Sequence, residues 1–315
     1  MIDFSQVTDI TLGSTPVEQV TDSQGNVLWS ASVDPSTVYF YVEDVSGSDN
    51  TLSITKNGDS APTIEVFKST DQQNWSSMGS TSTTAITATV PANGKLYLKA
   101  TANAWSSSGY YNSINATGDF NAGGNIMSLL YNDNFVSQTT LSANDTFIHL
   151  FDYSTNIVSA ENLILPATTL STGCYDSMFY SCIALTTAPA LPATTLTTYC
   201  YTNMFSYCTR LTTAPALPAT TLASGCYKNM FKGCTLTTAP ALPATTLVSG
   251  CYINMFDGCT NLNSVTTYAE SVTSLALRYW LRNVSQTGDF YNLGGATYPS
   301  GDSGIPTGWT IHTSL

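Results

Sequence analysis

Between residues 34 and 103 apolar and polar positions alternate in short runs: STVYFYVEDV, TLSITK, TIEVFKS, TAITATV and KLYLKATA. SGSDN, NGDSAP, DQQNW and PANG separate them. Period-two alternation broken by amide, hydroxyl and glycine turns predicts a small antiparallel sandwich. Upstream, VEQVTDSQGNVLWS has the pattern of a hairpin turning around Ser23 to Asn26. Residues 1–33 are therefore read as an attachment segment, either an edge hairpin of the next domain or an independent docking element. Val17, Val20, Val27, Leu28 and Trp29 are its candidate docking residues.

Beyond residue 104 the pattern changes to a long repeat. Units begin at Leu165, Leu191, Leu217 and Leu242, 26, 26 and 25 residues apart. Each reads LPATTL, three residues, CY, two residues, MF, two residues, C. The shorter interval comes from one lost residue, CTRLTTAP at Cys208 against CTLTTAP at Cys234. Leu196, Cys200 and Met204 are four apart, as are Tyr201 and Phe205, which predicts neighbouring turns of a short helix. The proline-containing LTTAPALP segment fits a very short strand or extended turn. A recurring-leucine period of this length predicts an α/β leucine-rich-repeat solenoid, in which stacking completes a core that no single unit can bury.

The repeat also continues upstream in altered form. TFIHLFDYSTNI matches CYDSMFYSCIAL without a gap, with Thr146 and Ser154 at the cysteine positions. The expected organisation is an attachment segment (1–33), a small antiparallel β domain (34–103), a cap with a degenerate repeat (104–164), the repeats (165–278) and a C-terminal cap (279–315). TGDF occurs before the repeats at Asp119 and after them at Asp289, and capping turns account for both.

The eight cysteines are the first candidate for chemistry. Their intervals of eight and then seventeen or eighteen differ from the close pairs of structural zinc sites, and the chain has only two histidines, His149 and His312. A nucleophile would need a base or an electropositive setting, and no His or Asp recurs with the cysteines. Exchange for Thr146 and Ser154 in the outer unit fits small side chains in tight inner positions. Two inner ladders result: Cys174, Cys200, Cys226 and Cys251, then Cys182, Cys208, Cys234 and Cys259. Cross-coil disulfides are the alternative. The same core includes Met178, Met204, Met230 and Met255, and Phe179, Phe205, Phe231 and Phe256.

Composition narrows the function. Nine Lys and Arg against 21 Asp and Glu give a net charge of −12, and only 10% of residues are charged. Such a surface lacks the basic stripe that nucleic-acid binding requires. No run of 18 apolar residues predicts membrane insertion. MIDFSQVTDITLG has neither the basic nor the apolar region of a secretory signal, so assembly in a cytoplasm is expected. No phosphate loop, dinucleotide fingerprint, calcium loop or paired-carboxylate motif stands out, so the chain reads as non-enzymatic and without a cofactor. The variable pairs of the repeat are expected on the helical side, facing solvent: Asp176-Ser177, Thr202-Asn203, Lys228-Asn229 and Ile253-Asn254 after CY. After MF they are Tyr180-Ser181, Ser206-Tyr207, Lys232-Gly233 and Asp257-Gly258. Thr186, Thr187, Thr212, Thr213, Thr237 and Thr238 form hydroxyl rows, a candidate glycan-binding surface or simply ordered turns facing water.

The phrase MFSYCTRL, Met204 to Leu211, resembles the unit of BspA-type, or Treponema-type, leucine-rich repeat proteins. LPATTL with CYxxMFxxC is similar to the variant in gut Bacteroidales and their tailed phages. FNAGGNIMSLLYNDNF and GDFYNLGGATYPSGDSGIPTGWTI resemble that group too, so the likeness spans about residues 104–315. It implies surface display and adhesion and supplies no catalytic residue. ITLGSTPVEQVTDSQGNVLWS resembles N-terminal segments of tailed-phage structural proteins. The resulting expectation is a virion head fibre, tail fibre or capsid decoration. It would form a homo-oligomer, bind other virion proteins through its N-terminal region and contact a host glycan or protein. A bacterial cell-surface adhesin is the alternative.

Overall fold

The structure, a computed structural model, describes residues 34–315 except Ser274. Of the first 33 residues it describes only the backbone of four short strands. These are β1 (Thr11–Leu12), β2 (Thr15–Pro16), β3 (Gln19–Thr21) and β4 (Val27–Ser30), paired β1 with β2 and β3 with β4, both antiparallel. Val17 and the side chains of Val20, Val27, Leu28 and Trp29 lie outside the described residues.

The alternating runs form the strands that their period requires. In chain order the strands are β5 (Tyr41–Asp44), β6 (Asn50–Asn57), β7 (Glu65–Ser69), β8 (Ser76–Ser80), β9 (Ile86–Val90) and β10 (Lys95–Ala100), of which β8 alone falls outside those runs. The sheets continue past residue 103 through β11 (Ser106–Ser107), β12 (Tyr110–Ala116) and β13 (Phe120–Asn125). One sheet has the order β13-β5-β10-β7-β8 and the other β11-β12-β6-β9. Leu52 and Ile54 of β6, Leu96 and Leu98 of β10 and Ile114 of β12 are buried in the core, as alternation demands. A single helical turn, α1 (Ser128–Tyr131), follows.

Both sheets grow directly into the repeats. β13 pairs on one side with β5 and on the other, in parallel, with β14 (Ile157–Ser159) and β15 (Leu163–Ile164) of the first coil. The second sheet reaches the same coil through Trp105 N–H to the Thr146 carbonyl (2.9 Å) and Ile114 N–H to the Leu150 carbonyl (2.7 Å). One continuous apolar core therefore runs through the sandwich and the repeats.

The expected α/β leucine-rich-repeat solenoid with short helices is overturned. Among the described residues the repeats contain no α-helix; α1 lies before them, and the molecule is built largely of strands and turns. Where a helix was expected, a run of consecutive turns advances four residues at a time. Tyr180 N–H bonds to the Ser177 carbonyl and Cys182 N–H to that of Phe179, both i to i−3. The intervening amides point to the next coil: Tyr175 to Cys200 (3.0 Å), Ser177 to Thr202 (2.8 Å) and Phe179 to Met204 (3.0 Å). An α-helix would spend every one of these amides on its own i−4 carbonyl. Alternate bonding thus satisfies the backbone while joining each coil to its neighbour.

Positive φ every fourth residue produces this run: Tyr199, Asn203 and Tyr207, then Gly225, Asn229 and Gly233, then Gly250, Asn254 and Gly258. Glycine and asparagine tolerate that conformation best. Tyr199 and Tyr207 cost roughly 1–2 kcal/mol each there, and the inter-coil bonds and packing offset it. The spacing of four explains why the segment reads as helical. In a helix, however, residues eight apart are rotated by about 80°, whereas Cys200 and Cys208 both face the core.

Inward side chains stack in columns. Phe147, Tyr175, Tyr201, Tyr227, Tyr252 and Trp280 form one, with neighbouring rings 5.8–6.1 Å apart. Phe151, Phe179, Phe205, Phe231 and Phe256 form a second at 5.2–5.7 Å. The segments between turn runs are extended and touch as isolated parallel bridges, such as Thr195 with Thr221. Loss of one residue after Cys234 leaves the turn register intact, since Tyr227 N–H still reaches the Cys251 carbonyl (3.1 Å). At the far end β16 (Ser264–Thr267), β17 (Gly288–Asn292) and β18 (Trp309–His312) make a parallel sheet. Trp280 passes its column on to Tyr298, stacked at 6.2 Å, and donates Nε1–H to the Gly304 carbonyl (2.7 Å).

In the first TGDF phrase Thr117–Asp119 turn between β12 and β13 and only Phe120 enters a strand, whereas Gly288, Asp289 and Phe290 of the second lie in β17 rather than in a capping turn. Phe120 and Phe290 are buried, and each belongs to a strand pairing in parallel with an end of the repeat.

Candidate functional site

All eight cysteines are free and buried. In the second column each thiol donates to the phenylalanine carbonyl of the preceding coil. These bonds are Cys182 to Phe151 (3.0 Å), Cys208 to Phe179 (3.1 Å), Cys234 to Phe205 (3.0 Å) and Cys259 to Phe231 (3.0 Å). Burial pushes the thiols up, Cys200, Cys251 and Cys259 to about 12. At neutral pH they are protonated and offer neither a nucleophile nor a thiolate ligand. Among the described residues no cluster of His, Cys, Asp and Glu could hold a metal ion. Met178, Met204, Met230 and Met255 are buried beside them.

The threonine rows lie on the extended segments. Thr186, Thr212, Thr213, Thr237 and Thr238 are exposed and Thr187 is half-buried. Glu161, Thr186, Thr187, Thr212, Thr213 and Pro215 line part of a shallow groove of about 420 Å³. Thr186 Oγ1 donates to the Val158 carbonyl (3.0 Å), and Thr187 Oγ1 is hydrogen-bonded to Ser159 Oγ. Those two hydroxyls are partly engaged within the protein.

On the turn runs, several variable positions expected to face solvent are covered. Ser177, Thr202, Ser206 and Asp257 are buried, and Thr202 Oγ1 donates to the Gly225 carbonyl of the next coil (2.7 Å). Asp257 is paired with Arg282, at 2.9 Å to Nε and 2.6 Å to NH2, and with Lys232 Nζ at 3.5 Å. Burial opposes its charge, but the guanidinium and ammonium hold its carboxyl below the usual range.

A second cleft, missed at the level of sequence, opens on the turn runs. His149, Tyr153, Asp176, Ser177, Tyr180 and Asn203 line about 400 Å³. Tyr153, 63% exposed, meets Tyr180 edge-to-face at 5.3 Å, and Tyr180 meets Tyr207 likewise at 5.7 Å. These tyrosines are 27 residues apart, so one coil supplies its ring from a neighbouring column and the repeat alignment hides the row. Asp176 Oδ1 accepts from Ser177 Oγ (2.7 Å) and Asn203 Nδ2 (3.2 Å). Burial raises its carboxyl above the usual range, opposed by these two donors. Asn203 Oδ1 accepts from Asn229 Nδ2 (2.8 Å), and Asn229 Oδ1 from Asn254 Nδ2 (2.9 Å). The positive-φ asparagines thus form an amide ladder ending at Asp176. Their recurrence every coil is the signal that could have located it.

Comparison with protein-family models, with curated proteins and with solved structures gives no match. No helix among the described residues is long and apolar enough to cross a membrane.

Proposed function

We propose that this chain is a non-enzymatic structural protein of a tailed-phage virion, a head or tail fibre or a capsid decoration, that displays its coil stack for adhesion to a host surface. The observation that carries this reading is the coil stack itself. It extends both sheets of the sandwich through continuous backbone bonding and holds exposed rows of Thr212, Thr213, Thr237 and Thr238 at a fixed repeat. Such a regular, weakly charged, hydroxyl-rich surface suits repeated contact with a glycan or protein better than chemistry. The resemblance of LPATTL and CYxxMFxxC to repeats of gut Bacteroidales and their phages supports adhesion, although the fold class it implied does not hold. Residues 1–33 dock to other virion proteins in this reading, and the protein acts as a homo-oligomer, as virion components commonly do.

The same repeat resemblance favours one second reading, a BspA-like adhesin on a bacterial surface. Mass spectrometry of purified virions and of host envelopes separates the two. The chain is expected in virions; its presence only in envelopes overturns the virion assignment in favour of the adhesin.

A further inference from the structure

We propose that the cleft between Tyr153 and Asn203 is a binding subsite for a neutral saccharide, stacked on tyrosine and hydrogen-bonded by Asp176. This inference rests on the adhesive reading above and adds a site and a ligand class, away from the threonine rows. The first argument is the aromatic row. Tyr153, Tyr180 and Tyr207 form an edge-to-face row of three phenol rings, with Tyr153 63% and Tyr207 38% exposed and Tyr180 half-buried between them. An uncovered aromatic row of this kind marks a contact surface. The partly positive C–H groups on one face of a pyranose complement the negative face of such a ring.

The second argument is the polar group beside it. Both protein donors to Asp176 bind Oδ1, and Oδ2 accepts no hydrogen bond from the described residues. A carboxylate fixed through one oxygen and open at the other is a strong acceptor for sugar hydroxyls. Asn203, which orients it, is itself held by the ladder through Asn229 and Asn254, so little rotamer freedom is lost on binding. At the cleft His149 packs tilted against Tyr111, ring centroids 4.6 Å apart, with Nδ1 2.9 Å from Asp152 Oδ2.

The third argument is charge. No Lys or Arg lines the cleft, Asp152 and Asp176 are close by, and the chain carries a net −12. Sialylated, sulfated or phosphorylated sugars would be repelled, which leaves neutral glycans. A volume of about 400 Å³ lies within the usual range for small ligands.

The test is an array of neutral, sialylated and sulfated oligosaccharides probed with the full chain, followed by titration of the best neutral binder. Tyr180→Ala and Asp176→Asn should each weaken binding about tenfold or more, the scale of a lost stacking or charged hydrogen-bond contact. Thr89→Ala, exposed on the sandwich, should leave it unchanged. If either cleft variant fails to fold, hydrogen exchange of the unaltered chain decides. The bound sugar should slow exchange at Tyr153–Ser181, and protection confined to Thr186–Pro215 would overturn the assignment. Binding of no neutral glycan, preference for acidic ones, or indifference to both cleft substitutions would also sink it. Absence of the chain from virions and envelopes would undo the display reading without touching the cleft.

Discussion

In β6 of the sandwich, Leu52 and Ile54 point inward because successive side chains alternate across a strand. In the coil after Leu191 the inward residues are Leu196, Cys200, Met204 and Cys208, four apart, with Tyr201 and Phe205 beside the middle two. The sandwich fills its core with unrelated partners brought together by long-range pairing. The coil stack fills its own by placing each residue against its counterpart one coil away. A sandwich position therefore answers to its particular neighbours, whereas a coil position answers to a column. The joint between them works because each sheet ends in a strand whose free edge the first coil can extend.

The largest test of this contrast is Phe205→Ala. Removing a buried phenylalanine costs about 3–5 kcal/mol, and this ring stacks on Phe179 and Phe231 at once. Exchange protection should fall across the neighbouring coils while β6 and β12 amides keep theirs. Equal loss in both regions would show that sandwich and stack open as one unit. Next comes Asp257→Asn, expected to cost about 2 kcal/mol through loss of charged hydrogen bonds to Arg282. Because its folded pKa is lowered, the ionised pair stabilises fully above the ordinary carboxylate value near 4. That contribution disappears as pH falls through the folded value. Denaturant midpoints of the two proteins should thus converge in acid, and a constant gap would deny the pair its role.

Gly225→Ala probes the turn run with a smaller effect. Its φ is +64°, and an added Cβ would overlap the Tyr199 ring lying over it. A loss of about 1–2 kcal/mol is expected, measurable by urea unfolding; a neutral result would mean the ring moves freely aside. The smallest effect belongs to Cys208→Ser, about 1 kcal/mol or less, because serine can keep the bond to the Phe179 carbonyl. Ser154 already occupies the equivalent place in the first coil, bonded to Asn115. Intact mass should show all eight thiols resisting alkylation until the chain unfolds. A consistent set of disulfides would replace the hydrogen-bonded thiol column with a covalent one.

Much of the stack was legible as columns. The recurrence of CY, MF and C identifies which residues share an environment, and those residues are buried together. Their backbone was not legible, because a spacing of four fits both an α-helix and a run of turns. The discriminating marks were Gly225, Asn229 and Gly233, glycine and asparagine at positions that a helix would not favour. β12 and β13 fall in the 104–164 segment expected to be a cap, yet they belong to the sandwich sheets. In NAGGN, Gly123 and Gly124 lie beneath Tyr41 and the Tyr39 backbone, where any side chain would collide, a packing constraint that only the folded sheet makes visible.

The candidate cleft divides along the same line. Tyr180 and Tyr207 stood out as variable positions, but Tyr153 belongs to the degenerate unit, and only the stagger of adjacent coils aligns the three. Sequence alone determined the period, the recurring CY, MF and C positions of each column and five strands of the sandwich, β5, β6, β7, β9 and β10. These follow from which side chains avoid water and how often they recur. Tertiary structure decided where the backbone amides go, every second one to a coil 24–27 residues away. That choice depends on a neighbour being present to accept the bond, which no stretch of a single coil encodes.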